Sequence, residues 1–444
     1  MERIVSKFGG SSVLQFNTIA QIVANNENRR WIVVSAPGDA DKRYRVTQML
    51  IRLAGYSVNK GHDSESAQEL RNRIVGKYTG ILGSSVQHDV ERSLDERIAR
   101  NELRWDEYLA NMKAFGEYMT AKLAADALGF TFTDLRDIMV VDGEFDAAKV
   151  RPESYDLMQE ALHEGRFVIP GFFGYDCKGK VRTFAFGGSD KTGAEIARGV
   201  GATLYENFTD SPIRAADPKY VSDAIVIAEM TLSELRDLSY AGFGIYHSEA
   251  IEPLIEPRIP LHVLSTKNWN QAGTMVFMER LYEREKPIVG VAYREGLCAL
   301  GVSRVGLNDM HGVLARTAQV LQEEEIAIEF PATGIDDVSF VVSQQRLDGA
   351  RLNRILSRFS ELTKHGQTSV YDNLGCVVVA GKGIEYDALR ISAKASLALA
   401  DADINVVADT MGLERRCIMY AIPITQGARA VQALYNAFIR EGEP

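Results

Sequence analysis

Hydrophobic and polar positions follow different rhythms along this chain, and the places where the rhythm changes divide it. Over residues 1 to about 56 and 130 to about 283, short apolar runs alternate with segments of helical period. Ile4-Val5 leads into the helical pattern of Thr18-Ile19-Ala20-Gln21-Ile22-Val23, and Trp31-Ile32-Val33-Val34 is the next apolar run. Strands that alternate with helices predict a layered α/β architecture. From Ser64 to Leu128 the chain is strand-poor and carries charge at helical spacing, as in Glu91-Arg92-Ser93-Leu94-Asp95-Glu96-Arg97-Ile98. This stretch, about 60–128, reads as a helical insertion covering one edge of the site. The polar segment Glu279 to Pro287 reads as a linker between a domain of residues 1–283 and a second of 287–444.

Beyond the linker the pattern repeats. Val313-Leu314-Ala315-Arg316-Thr317 aligns without gaps onto Ile391-Ser392-Ala393-Lys394-Ala395. The same offset carries Leu321 onto Leu399, Glu325-Ile326 onto Asp403-Ile404, and Gly349-Ala350-Arg351 onto Gly427-Ala428-Arg429. Each copy reads as a ferredoxin-like βαββαβ unit. Such a pair serves either ligand binding at paired interfaces or dimerisation alone.

Composition removes several classes of function. A chain of 444 residues is long enough for two or three domains with real cores. A net charge of −10 argues against nucleic acid or an anionic membrane surface as partner. No apolar run approaches the ~20 residues a membrane-spanning helix needs. Glu2, Arg3 and Lys7 stand where an export signal would be apolar, and the four cysteines are far apart, with no metal or redox spacing. A cytoplasmic protein is expected.

The candidate chemistry lies in glycine-rich turns. Lys7-Phe8-Gly9-Gly10-Ser11-Ser12 follows the first apolar run and precedes a helix. Glycines let backbone N–H groups approach a phosphate, a helix N-terminus favours its charge, and a lysine there adds a point charge. A plain strand-to-helix turn accounts for this stretch equally well. A second turn, Phe186-Gly187-Gly188-Ser189-Asp190-Lys191-Thr192-Gly193, opens another helix, which Ser189 or Asp190 is expected to cap. Two such turns suggest two walls of one phosphate site. Ser35-Ala36-Pro37-Gly38 and Thr209-Asp210-Ser211-Pro212, the latter followed by Ala216-Asp217-Pro218, are further candidate loops. No Walker motif and no protein-kinase signature occur, and the seven histidines show no catalytic spacing.

In this order, the segments Lys7 to Ser12, Ser35 to Gly38, Gly116-Glu117, Gly187 to Asp190, Thr209-Asp210 with Ala216-Asp217-Pro218, and Gly242-Phe243-Gly244-Ile245-Tyr246-His247 resemble the aspartate kinase family. Val168-Ile169-Pro170-Gly171-Phe172-Phe173-Gly174 and Leu204-Tyr205-Glu206-Asn207 resemble its clostridial-type branch. The likeness spans nearly the whole chain. It implies an amino-acid kinase αβα sandwich followed by tandem ACT-type units, and phosphoryl transfer from ATP, with Mg²⁺, to the side-chain carboxylate of aspartate. It further implies a homodimer through the ACT-type units and an amino-acid effector there. An already ionised nucleophile needs no general base, so cations and amides are expected in place of a serine–histidine pair.

The resemblance assigns roles as follows. Lys7 stabilises the transferring phosphoryl group, and Asp190 orders the site. Phe8, Gly9, Gly10, Ser11, Gly187 and Gly188 cradle phosphate, with Ser35 beside it. Thr209, Asp210 and Asp217 lie along the nucleotide, and Asp210 helps to hold the metal ion. Thr47, Glu117 (at a helix start) and Ser189 contact the substrate. No dedicated metal site is expected.

Three positions depart from the pattern. Phe186 stands where the family carries an arginine that grips a substrate carboxylate, and a guanidinium fork has no aromatic substitute. The loop at Ser211-Pro212-Ile213-Arg214 is one residue short. Gly244 replaces a phosphate-binding lysine, as in the clostridial-type branch. Two readings follow: an aspartate kinase in which Lys191, Arg182 or Arg214 supplies the missing cation, or a paralogue acting on a related acid or serving as a weak regulator. A third class is an amino-acid sensor using Asp409-Thr410-Met411-Gly412 and Leu413-Glu414-Arg415-Arg416.

Overall fold

The computed structural model describes residues 2–57, 66–185, 187–243 and 250–440. The chain forms two compact units. The first comprises Met1–Ile213, Val226–Leu232 and Ile245–Arg280. It is built on strands β1 (Ile4–Phe8), β2 (Arg29–Val34), β3 (Thr131–Phe132), β4 (Phe167–Pro170), β5 (Leu204–Thr209), β6 (Glu229–Thr231), β7 (Leu261–Ser265) and β8 (Thr274–Phe277). They form one sheet in the order β6-β8-β7-β5-β1-β2-β4-β3, parallel except where β8 runs against β7.

Every residue of β1 is buried, as expected of a central parallel strand with both faces covered. Because side chains alternate, Phe8 and Lys7 point to opposite faces. Phe8 stacks on Phe208 with ring centroids 4.7 Å apart, in a core completed by Ile32, Val34, Val168 and the helix Phe16–Ala24. Lys7 faces the other layer.

Four helices build a side wall: α1 (Val46–Ser57), α2 (Ala67–Leu82), α3 (Gln87–Ile98) and α4 (Trp105–Leu128). They enclose their own core of Leu50, Ile74, Tyr78, Leu94, Met112, Phe115 and Met119. Ser66 and Glu69 form a capping box that fixes the start of α2. A fifth helix, α5 (Gly188–Gly199), packs on β1 and β2.

Beneath the strand ends, Arg29 grips Glu206 through two bonds of 2.7 and 2.9 Å, and the Ser6 hydroxyl donates to the same carboxylate at 2.7 Å. Both partners are buried, so removing one strands the other's charge. Glu206→Ala is expected to destabilise the protein by about 3–5 kcal/mol. Thermal unfolding of that variant, with activity measured well below its midpoint, checks this.

The second unit comprises Arg214–Ile225, Ser233–Gly244 and Leu281–Pro444. Its strands are β9 (Gly290–Ser303), β10 (Ile328–Thr333), β11 (Asp337–Ser343), β12 (Gln367–Ala380), β13 (Ala408–Thr410) and β14 (Cys417–Pro423), in the order β10-β11-β9-β12-β14-β13. Helices α6 (Val313–Glu323), α7 (Gly349–Leu362), α8 (Gly383–Asp401) and α9 (Gly427–Tyr435) complete two ferredoxin-like halves at the spacing of the sequence repeat. The halves are interleaved. Residues 297–303 of β9 pair with β11 in the first half, whereas 290–295 pair with the C-terminal part of β12, which itself pairs with β14. The outer strand of the second half therefore comes from chain that precedes the first. Among the described residues, no helix is long and apolar enough to cross a membrane.

Candidate active site

In open α/β sheets, ligands bind beyond the carboxyl ends of the strands. Here the ends of β1, β2, β4 and β5 open into a cleft of about 1000 Å³, lined wholly by the first unit. Lys7, Gly9, Gly10, Ser11, Ser35, Thr47, Glu117, Gly187, Gly188, Ser189, Asp190, Thr209 and Asp210 all line it.

Lys7 is 6% exposed at the cleft floor. Its ammonium donates to Asp190 Oδ1 at 2.6 Å and to Asn207 Oδ1 at 3.3 Å, and Asn207 Nδ2 donates to Asp190 at 2.9 Å. Asn207 sits opposite Lys7 in the β1–β5 register, so the sheet itself sets the spacing. Helix α5 begins one residue before Ser189, on Gly187 in the left-handed region (φ 83°), and no side chain caps it. Ser189 and Asp190 are thus not caps: both lie in the first turn, and the Asp190 carboxylate turns to Lys7.

The Gly10 turn and the Ser35–Gly38 loop meet backbone to backbone. Gly38 N–H donates to Gly10 O at 2.9 Å, and a Cβ on Gly10 would lie 2.7 Å from Ala36 O. Lys77 of α2 donates to Gly38 O and pairs with Asp39, which holds this loop from the helical side. On the far wall Phe172 adopts φ 80°, an outlier for an aromatic residue, with its N–H bonded to Thr192 Oγ1 at 2.9 Å. A Cβ on Gly188 would meet the Phe172 ring at 2.7 Å, so ring and helix start fit only with glycine there.

Glu117 lies in the middle of α4, not at a helix start. The glycine before it is needed because the Ala36 loop passes there: a Cβ on Gly116 would stand 2.6 Å from Ala36 Cβ. The Glu117 carboxyl is 5% exposed, and its Oε2 has no hydrogen-bond partner. Burial pushes its pKa up to about 8, against weaker opposition from the Ala36 and Glu117 backbone N–H groups.

Two expected cofactor residues lie elsewhere. Phe8 is core, and its carbonyl is taken by the Ser35 N–H at 3.1 Å. Asp217 belongs to the second unit, where its carboxylate accepts the Lys219 N–H at 2.8 Å. Phe186, Gly244 and His247 lie outside the described residues.

None of the three cations proposed to replace the missing arginine lines the cleft. Arg182 pairs with Asp176 at 2.9 Å, Lys191 lies over the Phe184 ring, and Arg214 belongs to the second unit, bonded to Ala224 O. The cleft instead holds Arg45, Lys113 and Lys267, besides Lys7. Lys113 was not singled out in the sequence, where its one signal is a helical repeat distance to Glu117, and Asn207 appeared only within the Leu204–Asn207 segment, with no role assigned.

The amino acid kinase family model matches residues 2–265. Aspartokinase 3 of Bacillus subtilis is 33% identical, over 98% of each chain. The lysine-sensitive aspartokinase 3 of Escherichia coli is 26% identical over 86% of this chain and 88% of its own. Among solved structures, Clostridium acetobutylicum aspartate kinase superposes with a TM-score of 0.83 at 27% identity, covering 99% of this chain and 100% of that one. Escherichia coli aspartokinase III in complex with aspartate and ADP shares the fold, with a TM-score of 0.77 at 24% identity over 98% and 99% of the two chains. With a family model spanning more than half its length and a relative one-third identical from end to end, the chain belongs to the aspartokinases of the amino acid kinase family.

Proposed function

We propose that this protein transfers the terminal phosphoryl group of ATP to the side-chain carboxylate of aspartate, giving 4-phosphoaspartate and ADP. The observation that carries this reading is Lys7, held by Asp190 and Asn207 on the cleft floor between two glycine turns. A carboxylate oxygen attacks the terminal phosphorus, the bond to the bridging oxygen of ADP breaks, and no proton has to move. What the site must supply is position and compensating charge. Lys7 lies against the transferring group, Asp190 and Asn207 fix its ammonium, and the N–H groups around Gly10 and Gly188 receive phosphate oxygens.

No group of three or more potential metal-binding side chains occurs among the described residues. Mg²⁺ would be held mainly by the phosphates and water. Asp210, exposed at the end of β5, is the carboxylate that would complete its shell.

An amino acid also presents an ammonium and an α-carboxylate. Glu117, buried with a free oxygen, suits the ammonium. Lys113, one helical turn earlier on α4, suits the α-carboxylate: it lines the cleft and has no ion pair or hydrogen bond among the described residues. Lys113→Ala is expected to raise the KM for aspartate about 10- to 100-fold, the worth of one charge-assisted hydrogen bond, with little change in the KM for ATP. An ADP-release assay with aspartate tests both claims. No turnover by the unaltered protein refutes the activity; turnover with an unchanged KM in the variant refutes only the role of Lys113.

The second unit reads as a regulatory and dimerising module. The interleaved ferredoxin-like pair supports an amino-acid effector there, as does the name of the lysine-sensitive relative. The open edge strands β10 and β13 of its sheet suit pairing with a second copy and support a homodimer through this unit.

A further inference from the structure

The side wall contains a second pocket, of about 230 Å³, that takes no part in the chemistry above. It lies between α3, α4 and the turns at Asp134 and Gly179, and its lining carries Arg92, Arg97, Arg100, Lys122 and Arg136 against only Glu96 and Asp134. Five cations and two anions leave a local charge of +3 in a chain whose net charge is −10. Chance surface composition would have the opposite sign.

Among the described residues only one of the five cations, Arg92, has an ion pair, with Asp89 at 3.1 Å on its own helix. Arg97 has two contacts with Asn111, both 3.4 Å long, and otherwise lies over the Tyr118 ring at 5.2 Å. Burial holds its pKa below the ordinary arginine range, with Arg100 pushing the same way, and the opposing pull of Tyr175, Tyr118 and Asp134 is weaker than burial. Arg100 and Lys122 have no ion pair among the described residues. Arg136 lies over the Tyr175 ring at 4.7 Å and hydrogen-bonds that residue, while Asp134 Oδ1 accepts the Arg136 backbone N–H at 3.0 Å. Guanidiniums that stack on aromatic rings and have no carboxylate partner present planar forks that match phosphate oxygens in geometry and charge.

We infer that this pocket is a binding site for a compact phosphate dianion, either inorganic phosphate or the phosphate of a small monoester. The pocket and the cleft share helix α4. At about 100° per residue, Asn111, Tyr118 and Lys122 lie on the side of α4 opposite Lys113 and Glu117. An anion that ties Arg97 of α3 to Lys122 of α4 and Arg136 braces the helix on whose other face Glu117 meets the cleft.

The test uses the full-length protein at constant ionic strength. Inorganic phosphate and glycerol 2-phosphate are titrated by calorimetry, with chloride as the control, against the unaltered protein, Arg97→Gln and Lys122→Gln. A Lys7→Ala background separates this binding from phosphate bound in the cleft. Saturable binding that survives Lys7→Ala and weakens about tenfold or more in each pocket variant is the expected result; whichever probe binds more tightly identifies the source of the phosphate. Lys122→Gln keeps the test open should Arg97→Gln fail to fold. Absence of saturable binding, or binding equal in the pocket variants, overturns the inference. The readout involves no turnover, so it stands apart from the kinase reading.

Discussion

Lys7→Ala is expected to lower kcat about 10³-fold while leaving nucleotide affinity within an order of magnitude. The transferring phosphoryl group gathers charge only on the way to the transition state, and a preorganised donor in a water-poor site is worth most there. Lys7 is suited to this because it is positioned before the substrate arrives: strand register sets its place, Asp190 and Asn207 set its direction, and burial thins the competing water. Asp190→Asn should follow with a smaller loss, since it keeps the shape but removes the charge that aims the ammonium. Pre-steady-state measurement of ADP formation, with nucleotide binding measured separately, decides the matter. Loss confined to binding would take Lys7 out of the transition state.

Glu117 should make substrate capture depend on pH. With a carboxyl pKa near 8 in the free protein, it is largely neutral at pH 6, and a neutral acid cannot hold an ammonium well. Capture of aspartate then requires loss of the Glu117 proton. kcat/KM should therefore rise with pH, approaching tenfold per unit at low pH, bend near pH 8 and level off above it. Glu117→Gln should lower kcat/KM by a factor on the order of 10² and flatten that slope. The same group has the opposite effect on stability. Its folded pKa lies above the ordinary 4.5, so the unfolded chain gives up the proton first, and stability declines as pH rises from about 4.5 towards 8. Glu117→Gln removes that decline. Its melting temperature relative to the unaltered protein should grow across this range, and a constant difference would contradict the assignment.

How much of this was visible in the sequence depended on whether the cause was local. The strand ends and glycine turns around Lys7 and Asp190 could be read because they combine apolar runs with residues chosen for backbone approach. Glu117 was placed correctly in the cleft but on the wrong part of its helix. Helix α4 is buried nearly all round between Glu107 and Ala125, so it shows no polar stripe to mark its extent, and Gly116 imitates a start. The role of Asn207 was hidden because only the order of strands brings it beside Lys7. Phe172 was hidden because nothing in sequence announces a positive φ for an aromatic residue. The repeat showed two copies in the second unit, but which strand completes which copy is a matter of topology.

That topology deprives the copies of the independence with which a duplicated segment begins. Each fourteen-residue strand, β9 and β12, serves both halves, so the chain offers no seam at which one copy can be excised or exchanged. A deletion that spares the repeat unit itself still carries away part of its twin. Descendants of such a chain can change what either copy recognises, residue by residue, but they inherit the two as a single heritable object.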